Sequence, residues 1–205
     1  MSARRLASSR VVISSRNRGK IREFAQLLEP HAITILTAEQ CGLQPVEETG
    51  RTFAENAGLK ARAAAGIAGM PAISDDSGLE VEALDGQPGI DTANWAETPQ
   101  GRNYVVAMTR VWKLLEELGA PHPRRARFHS TICVAWPDGH EDYFTGNANG
   151  HLVWPMRGET GFGFDPMFVP EGHTSTFGEM PHSLKNSISH RARALAALSR
   201  ACLDG

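Results

Sequence analysis

Four short stretches of the chain bring together residue types that can do chemistry. The first is Ser15-Arg16-Asn17-Arg18-Gly19-Lys20, a polar turn between a β-branched run and an apolar helical pattern. Such a turn exposes backbone N–H groups at a helix start. Those groups and the helix dipole favour a phosphate, to which Lys20 would add a point charge. It is not a Walker A loop, because the glycine five places before Gly19 is missing and Ile21 follows the lysine. A plain turn capped by Asn17 is the competing reading.

The second stretch is Asp75-Asp76-Ser77-Gly78, which follows the apolar run Pro71 to Ser74. Carboxylates at the end of a strand can hold a hard divalent cation, which in turn can bridge phosphate oxygens. The spacing matches neither an EF-hand loop nor the Asp-x-Asp pattern of aspartyl-phosphate phosphatases. Glu47 and Glu48 offer a further acidic ligand, and helix capping by the two aspartates is the alternative. The third stretch, Gly161-Phe162-Gly163-Phe164-Asp165-Pro166, sets two aromatics among glycines with an acid alongside. A ring there can stack on a base, and the acid can accept hydrogen bonds from a purine edge. The alternative places the phenylalanines in the core. The fourth, Lys185-Asn186-Ser187-Ile188-Ser189-His190-Arg191, gathers donors suited to phosphate or carbonyl oxygens. A basic cluster at a helix start runs against the dipole unless a partner offsets it, and a solvated basic face is the plain alternative.

The elements that must position these residues can be read from periodicity and punctuation. Arg10 to Ser14 is β-branched and compact, which predicts a strand. Ile21, Phe24, Ala25 and Leu28 predict an amphipathic helix that Pro30 stops, and Ile33 to Leu36 predicts a second strand. Thr52 and Glu55 have capping-box spacing ahead of an alanine-rich helix running to about Ala68. Pro71 to Ser74 predicts a short buried strand ending at the acidic pair, and Ser77 with Glu80 predicts a second capping box. The stretch Gly86 to Gly101 reads as a loop and Val105 to Leu118 as a helix. Pro137-Asp138-Gly139-His140 separates two alternating runs, Ala126 to Trp136 and Glu141 to Val153, which predicts a hairpin. Ile188, Ala192, Leu195, Ala196 and Leu198 predict a terminal helix. This interleaving predicts a mixed α/β class.

Bulk properties exclude several function classes. The chain has 205 residues, 41% hydrophobic and 21% charged, as expected of one globular domain. A net charge of -2 without a basic block gives no nucleic-acid footprint. The absence of 18 consecutive apolar residues argues against a membrane span, and no apolar run of signal-peptide length follows Arg4, Arg5 and Arg10. Cys41, Cys133 and Cys202 are far apart and odd in number, which predicts reduced thiols and a cytoplasmic location.

Taken together and in order, the blocks resemble the inosine triphosphate pyrophosphatase family, house-cleaning hydrolases of non-standard purine nucleoside triphosphates. The resemblance runs from about Val11 to Leu198. It rests on Ser15-x-Asn17-x-x-Lys20, Glu48-Thr49-Gly50, Phe53-x-Glu55-Asn56-Ala57 with Lys60-Ala61, and Asp75-Asp76-Ser77-Gly78-Leu79. Pro88-Gly89-Ile90, Phe162-Gly163-Phe164-Asp165-Pro166 and Ser189-His190-Arg191 continue it.

The resemblance implies an α/β fold, a two-lobed single domain around a long mixed β-sheet with the nucleotide cleft between lobes. That domain would span 1–205, with residues 1–9 flexible. It implies hydrolysis of ITP, dITP or XTP to the monophosphate and pyrophosphate, dependence on Mg²⁺, and a homodimer. Ser15, Arg16, Asn17, Arg18, Gly19 and Lys20 would hold the triphosphate. Asp76 would be the catalytic acid residue and a magnesium ligand, with Glu48 as the second metal-associated carboxylate, and water positioned by Asp76 would attack the α-phosphorus. Ser77 would touch substrate, Phe162 would stack on the base and Asp165 would bond its edge, with Gly163 and Phe164 in the same block. Lys185, His190 and Arg191 would favour a 6-keto oxygen. Arg16 and Arg18 depart from the small or apolar residues of many members, and Phe164 stands where others carry Tyr or Trp. A Maf-type nucleotide pyrophosphatase and a non-catalytic nucleotide-binding module are the rival readings; the purine-pocket blocks and Asp76 argue against them.

Overall fold

The computed structural model describes residues 3–204. A six-stranded sheet has the order β2-β1-β3-β6-β7-β8. Its strands are β1 (Arg10–Ile13), β2 (Thr34–Thr37), β3 (Ala72–Val81), β6 (Arg124–Ala135), β7 (Glu141–Leu152) and β8 (Phe168–Pro170). β1 pairs parallel with β2 and with β3, whereas β7 and β8 pair antiparallel, so the sheet is mixed. A two-residue ladder joins β4 (Glu97–Thr98) to β5 (Gly101–Arg102). The helices are α1 (Arg18–Leu28), α2 (Phe53–Ala68), α3 (Tyr104–Glu117), α4 (His182–Ile188) and α5 (His190–Leu198). The α/β class expected from the sequence is the one found.

The chain contacts fall into two compact units. The first holds residues up to Asp76, Ser130–Gly146 and the chain from Arg193 on. Here the strands are covered on both faces, and the period of two sorts their side chains. Val11, Ile13, Ile73, Ile132 and Val134 join a core with Phe24 and Leu28 of α1 and Ala194 and Leu198 of α5. Their neighbours Val12, Ala72, Cys133 and Ala135 point the other way, onto Ala57, Ala61, Ala64 and Ala65 of α2. The small residues of α2 suit a helix lying close on a sheet. Its start is the predicted capping box: Glu55 N–H donates to Thr52 Oγ1 (3.1 Å), and Glu55 Oε2 accepts from Thr52 N–H (3.1 Å). In the leading segment Leu6 is buried in the first core and its N–H donates to Cys202 O, while Arg4 N–H donates to Asp142. Residues 1 and 2 of the segment expected to be flexible lie outside the described residues.

The second unit holds Ser77–His129 and Asn147–Ala192. One side of its strands is packed: Leu79, Val81, Ala126, Phe128, Ala148, Leu152 and Phe168 form a core with Met108, Val111, Trp112 and Leu115 of α3. Along β6 the burial alternates from Arg124 to His129 and becomes continuous from Ser130, the mark of a strand covered first on one side and then on two. The other side of the second unit is polar. A cavity of about 440 Å³ there is lined by Glu80, Arg125, Arg127, Asn149 and Glu171 among others, and it holds none of the predicted site residues.

One sequence expectation is corrected. Asp75 and Asp76 do not end a short strand, and Ser77 with Glu80 does not cap a helix: β3 runs through all four residues to Val81. The Asp-Ser-Gly run reads as a turn, but β3 continues past the residues Ala72 and Ile73 that pair with β1, and it neighbours β6 in the sheet. Leu79 and Val81 are fully buried at the period of a strand.

Candidate functional site

In the first unit the acids and lysines converge on β3. Asp75 and Asp76 are adjacent in the strand and both are buried. Asp75 Oδ2 lies 2.7 Å from Lys20 Nζ, and its Oδ1 accepts a hydrogen bond from Ser130 Oγ at 2.7 Å. Asp75 therefore anchors Lys20 of α1. Asp76 faces a different set. Lys60 Nζ of α2 lies 3.3 Å from Asp76 Oδ1, 2.6 Å from Glu48 Oε1 and 3.2 Å from Asp75 O. Asn56, one turn earlier on α2, donates from Nδ2 to Asp76 Oδ2 at 3.4 Å. Glu47 is exposed and Glu48 is the member of that pair joined to the cluster.

Burial and charge compete here. Burial raises the Asp76 carboxyl above its ordinary value of 3.8, Lys60 and Lys20 pull it down, and Glu48 and Asp75 push it up; the outcome is upward. For Lys60, burial alone would lower the proton affinity. The combined pull of Asp76, Glu48 and Asp75 outweighs it, so Lys60 stays protonated above its ordinary value.

The Ser15–Lys20 turn leads into α1 with Asn17 as its N-cap: Asn17 Oδ1 accepts from Gly19 N–H (2.8 Å) and Lys20 N–H (3.2 Å), and Ser15 Oγ accepts from Asn17 N–H. The capping reading of Asn17 is thus correct, and it fixes the turn that presents Lys20. Arg16, Asn17 and Arg18 are exposed, and Ser15 and Gly19 are half-buried.

The second unit gathers the aromatic and basic residues. Asp165 is 2% exposed, and its Oδ2 accepts from Lys185 Nζ and from Phe162 N–H (2.6 Å). Burial raises the Asp165 carboxyl, against the opposing pull of Lys185. Gly161 is required beside it: its φ is +80°, and a Cβ there would stand 2.2 Å from Asp165 Oδ2. The two phenylalanines separate. Phe162 is 43% exposed, with Lys185 Nζ 4.5 Å and Arg191 Cζ 5.7 Å from its ring centroid. Phe164 is fully buried, edge-on to Tyr104 at 6.0 Å, and offers no open face; Gly163 lies beside the same Tyr104.

Lys185 sits in α4 and His190 and Arg191 open α5, because Ser189 takes an extended backbone that ends the first helix. Ser189 Oγ then accepts from Ala192 N–H at 3.1 Å, in the manner of an N-cap. His190 is buried and stacked on Phe128 (4.9 Å, 15°), and Arg191 Nη2 donates to Ser77 Oγ at 3.1 Å. All three basic residues are nearly buried, which excludes a solvated basic face.

Sequence reasoning left Ser130 and the ties of Asn56 and Lys60 unassigned. Ser130 lies in the middle of β6 and carries no motif. Asn56 and Lys60 fall four residues apart on α2, hence on one helix face, and that spacing was the available signal.

A model of the Ham1 family matches residues 11–201. The dITP/XTP pyrophosphatase of Ruegeria pomeroyi is 52% identical over 95% of this chain and 96% of its own. That of Agrobacterium fabrum is 48% identical over 98% and 99%. Among solved structures, a HAM1 protein from Coxiella burnetii superposes with a TM-score of 0.87 at 34% identity, covering 93% of this chain and 96% of that one. The nucleoside-triphosphatase / dITP/XTP pyrophosphatase of Mycobacterium abscessus does so at 0.77 and 33%, covering 92% and 98%. With a family match across this span and relatives near half identical over their full length, this chain belongs to the Ham1 family.

Proposed function

We propose that this chain is a nucleoside triphosphate pyrophosphohydrolase that converts non-standard purine nucleotides (ITP, dITP and XTP) to the monophosphate and pyrophosphate. The observation that carries the reading is the buried Asp76 carboxylate held by Lys60 and Asn56, with Lys20 on the adjacent Asp75. The relatives named as dITP/XTP pyrophosphatases supply the substrate class.

In this reading Lys20 and the Ser15–Lys20 turn hold phosphate oxygens, and Asp76 and Glu48 hold Mg²⁺. The donor set fits that ion: both side chains offer hard carboxylate oxygens, and both meet the same Lys60 ammonium. Magnesium is commonly held by one or two carboxylates with substrate phosphates completing its shell. Bound there, it would neutralise charge on the phosphate oxygens. Asp76 accepts a hydrogen bond from a water and aims it at the α-phosphorus. A bond forms from the water oxygen to phosphorus, the α–β anhydride breaks, pyrophosphate leaves with the electron pair, and the water proton passes by way of Asp76 to solvent. A carboxylate that also holds the ion has a low proton affinity, so Asp76 orients the water more than it keeps its proton.

The second unit's residues take the base. Phe162 offers its exposed ring for stacking, Asp165 bonds the base edge, and Ser77, joined to Arg191, touches substrate. Lys185 and Arg191, with His190, donate toward a 6-keto oxygen; lysine and arginine cannot accept from a 6-amino group. Residues 1–205 would act as one domain, in a homodimer, with no nucleic-acid or membrane partner. None of the described helices is long and apolar enough to cross a membrane. Cys41, Cys133 and Cys202 are all unbridged, which fits a reducing cytoplasm.

Hydrolysis of ITP in ¹⁸O-water tests the step. Label in the monophosphate supports attack at the α-phosphorus, and label in pyrophosphate overturns it.

A further inference from the structure

Asn56 is 2% exposed, a polar side chain in the otherwise alanine-rich inner face of α2. Its amide makes two bonds to two different parts of the first unit. Oδ1 accepts from Gly50 N–H at 2.8 Å, and Nδ2 donates to Asp76 Oδ2 at 3.4 Å. The orientation of the amide is fixed by its partners. A backbone N–H can only donate, so it must face the oxygen; an ionised carboxylate can only accept, so it must face the nitrogen. A flipped amide would lose both bonds at once.

The loop end of this tie is built to match. A Cβ at Gly50 would stand 2.6 Å from Asn56 Oδ1 and 2.7 Å from Glu55 Cβ, so only glycine lets the loop come this close. Two residues before Gly50 is Glu48, which meets Lys60 at 2.6 Å. The loop is already secured to α2 without Asn56: Glu55 Oε2 accepts from Arg51 N–H (2.6 Å) and Thr52 N–H (3.1 Å). A purely structural need for the loop is thus met by Glu55, while the bond from Asn56 to Asp76 does something Glu55 does not. Lys60 contacts Asp76 at Oδ1 and Asn56 contacts it at Oδ2. Two neighbours, one on each oxygen, set the rotation of the carboxylate plane, which one contact could not.

We propose that Asn56 is a positioning residue for the hydrolytic step, holding the Asp76 carboxylate plane by Oδ2 and tying it through Gly50 to the loop that carries Glu48. This rests on the reading of Asp76 as the group that aims the attacking water. Residues that orient a reacting or metal-holding group typically matter by roughly 10–100-fold.

The test is steady-state pyrophosphate release from ITP at saturating Mg²⁺, with thermal unfolding alongside. It uses wild type, Asn56→Ala, Asn56→Asp and Asp76→Asn, and the Asn56→Ala/Asp76→Asn double variant. Asn56→Asp keeps the shape and the acceptor for Gly50 but replaces the donor to Asp76 with an oxygen, and it serves if the alanine variant fails to fold. The proposal expects both single Asn56 variants to lower kcat about 10–100-fold with KM within about 3-fold. It expects Asn56→Ala to cost less than about 2-fold more in the Asp76→Asn background, because a residue acting through Asp76 has nothing left to orient. Near wild-type kcat in Asn56→Asp shows that only the Gly50 bond matters and overturns the proposal. Multiplying losses in the double variant overturn it too, as independent structural damage. Absence of pyrophosphate from the wild-type protein with any of ITP, dITP or XTP is a different failure: it removes the reading of Asp76 and the proposal with it.

Discussion

Lys60 Nζ lies 2.6 Å from Glu48 Oε1 and 3.3 Å from Asp76 Oδ1, so a single ammonium joins an exposed loop carboxylate to a buried one in the central strand. The two partners are not equivalent. Glu48 keeps access to water, with its side chain 44% exposed, whereas Asp76, at 10%, has lost most of its hydration. The positive charge therefore matters most to Asp76, whose ionised form burial opposes.

Replacing Lys60 by methionine keeps the length of the side chain and removes the charge. Asp76 would then be buried without its cation, at a cost of about 1–3 kcal/mol. At this chain length that is about 2–12 °C in the unfolding midpoint. Calorimetry of Lys60→Met against wild type checks the shift, and an unchanged midpoint would show that the pair contributes nothing to the fold.

The two phenylalanines of the Gly-Phe-Gly-Phe block should separate by phenotype. Phe162→Ala removes an exposed ring, so stability should hold while KM for ITP rises about 5–150-fold, the equivalent of roughly 1–3 kcal/mol of stacking. Phe164→Ala opens a cavity in the second unit's core and should cost about 3–5 kcal/mol of stability. Denaturant unfolding together with initial-rate kinetics distinguishes them, and a reversed pattern would contradict the assignment of Phe162 to the base.

Asp165 and Lys185 are a buried pair whose halves depend on each other. Asp165→Asn strands the Lys185 ammonium and Lys185→Met strands the carboxylate, so each single change should cost about 3–5 kcal/mol. The double change removes both charges and should recover part of the loss, as measured by urea unfolding of all three variants. Additive losses would show that the pair is not coupled.

The thiols give a pH dependence. Burial pushes Cys133 up to about 12 and Cys202 up to about 11 from the ordinary 9.0. The folded protein then holds these protons more tightly than the unfolded chain. Their contribution to stability is complete below pH 9 and is lost as the pH rises from 9 through 11 and 12. The unfolding midpoint should fall between pH 8 and pH 10.5, less steeply in Cys133→Ala. At pH 8 an alkylating reagent should modify Cys41 in the native protein and all three thiols only after unfolding; rapid native labelling of Cys133 would contradict its burial.

Much of this fold is legible in sequence because the chain punctuates itself. Pro30 follows the end of α1, Thr52 and Glu55 open α2, and Pro137-Asp138-Gly139 separates β6 from β7. The length of β3 is not legible, since Asp75-Asp76-Ser77-Gly78 has the composition of a turn. Its place beside β6 accounts for a strand there, and that neighbour comes from a distant part of the chain. The candidate site shows the same division. Asp76, Lys20 and Phe162 can be singled out from residue type and spacing. Of the partners that hold them, Asn56 and Lys60 show by spacing only that they share a helix face, and Ser130 shows nothing; which acids they meet is set by the packing of α2 and β6 against β3. The fate of Phe164 was likewise hidden: two phenylalanines two residues apart go to opposite environments, Phe164 into the second unit's core with Tyr104 of α3 against its edge.

The central claim is tested most directly by pyrophosphate release from ITP and XTP, with ATP and GTP in parallel, with Mg²⁺ and with chelator, for wild type and Asp76→Asn. The account predicts Mg²⁺-dependent pyrophosphate from ITP and XTP, little from ATP, whose 6-amino group the donors cannot pair, and a loss of about 10²–10⁴-fold in Asp76→Asn. Orthophosphate as the product, equal rates on all four nucleotides, or a near wild-type rate in Asp76→Asn would contradict it.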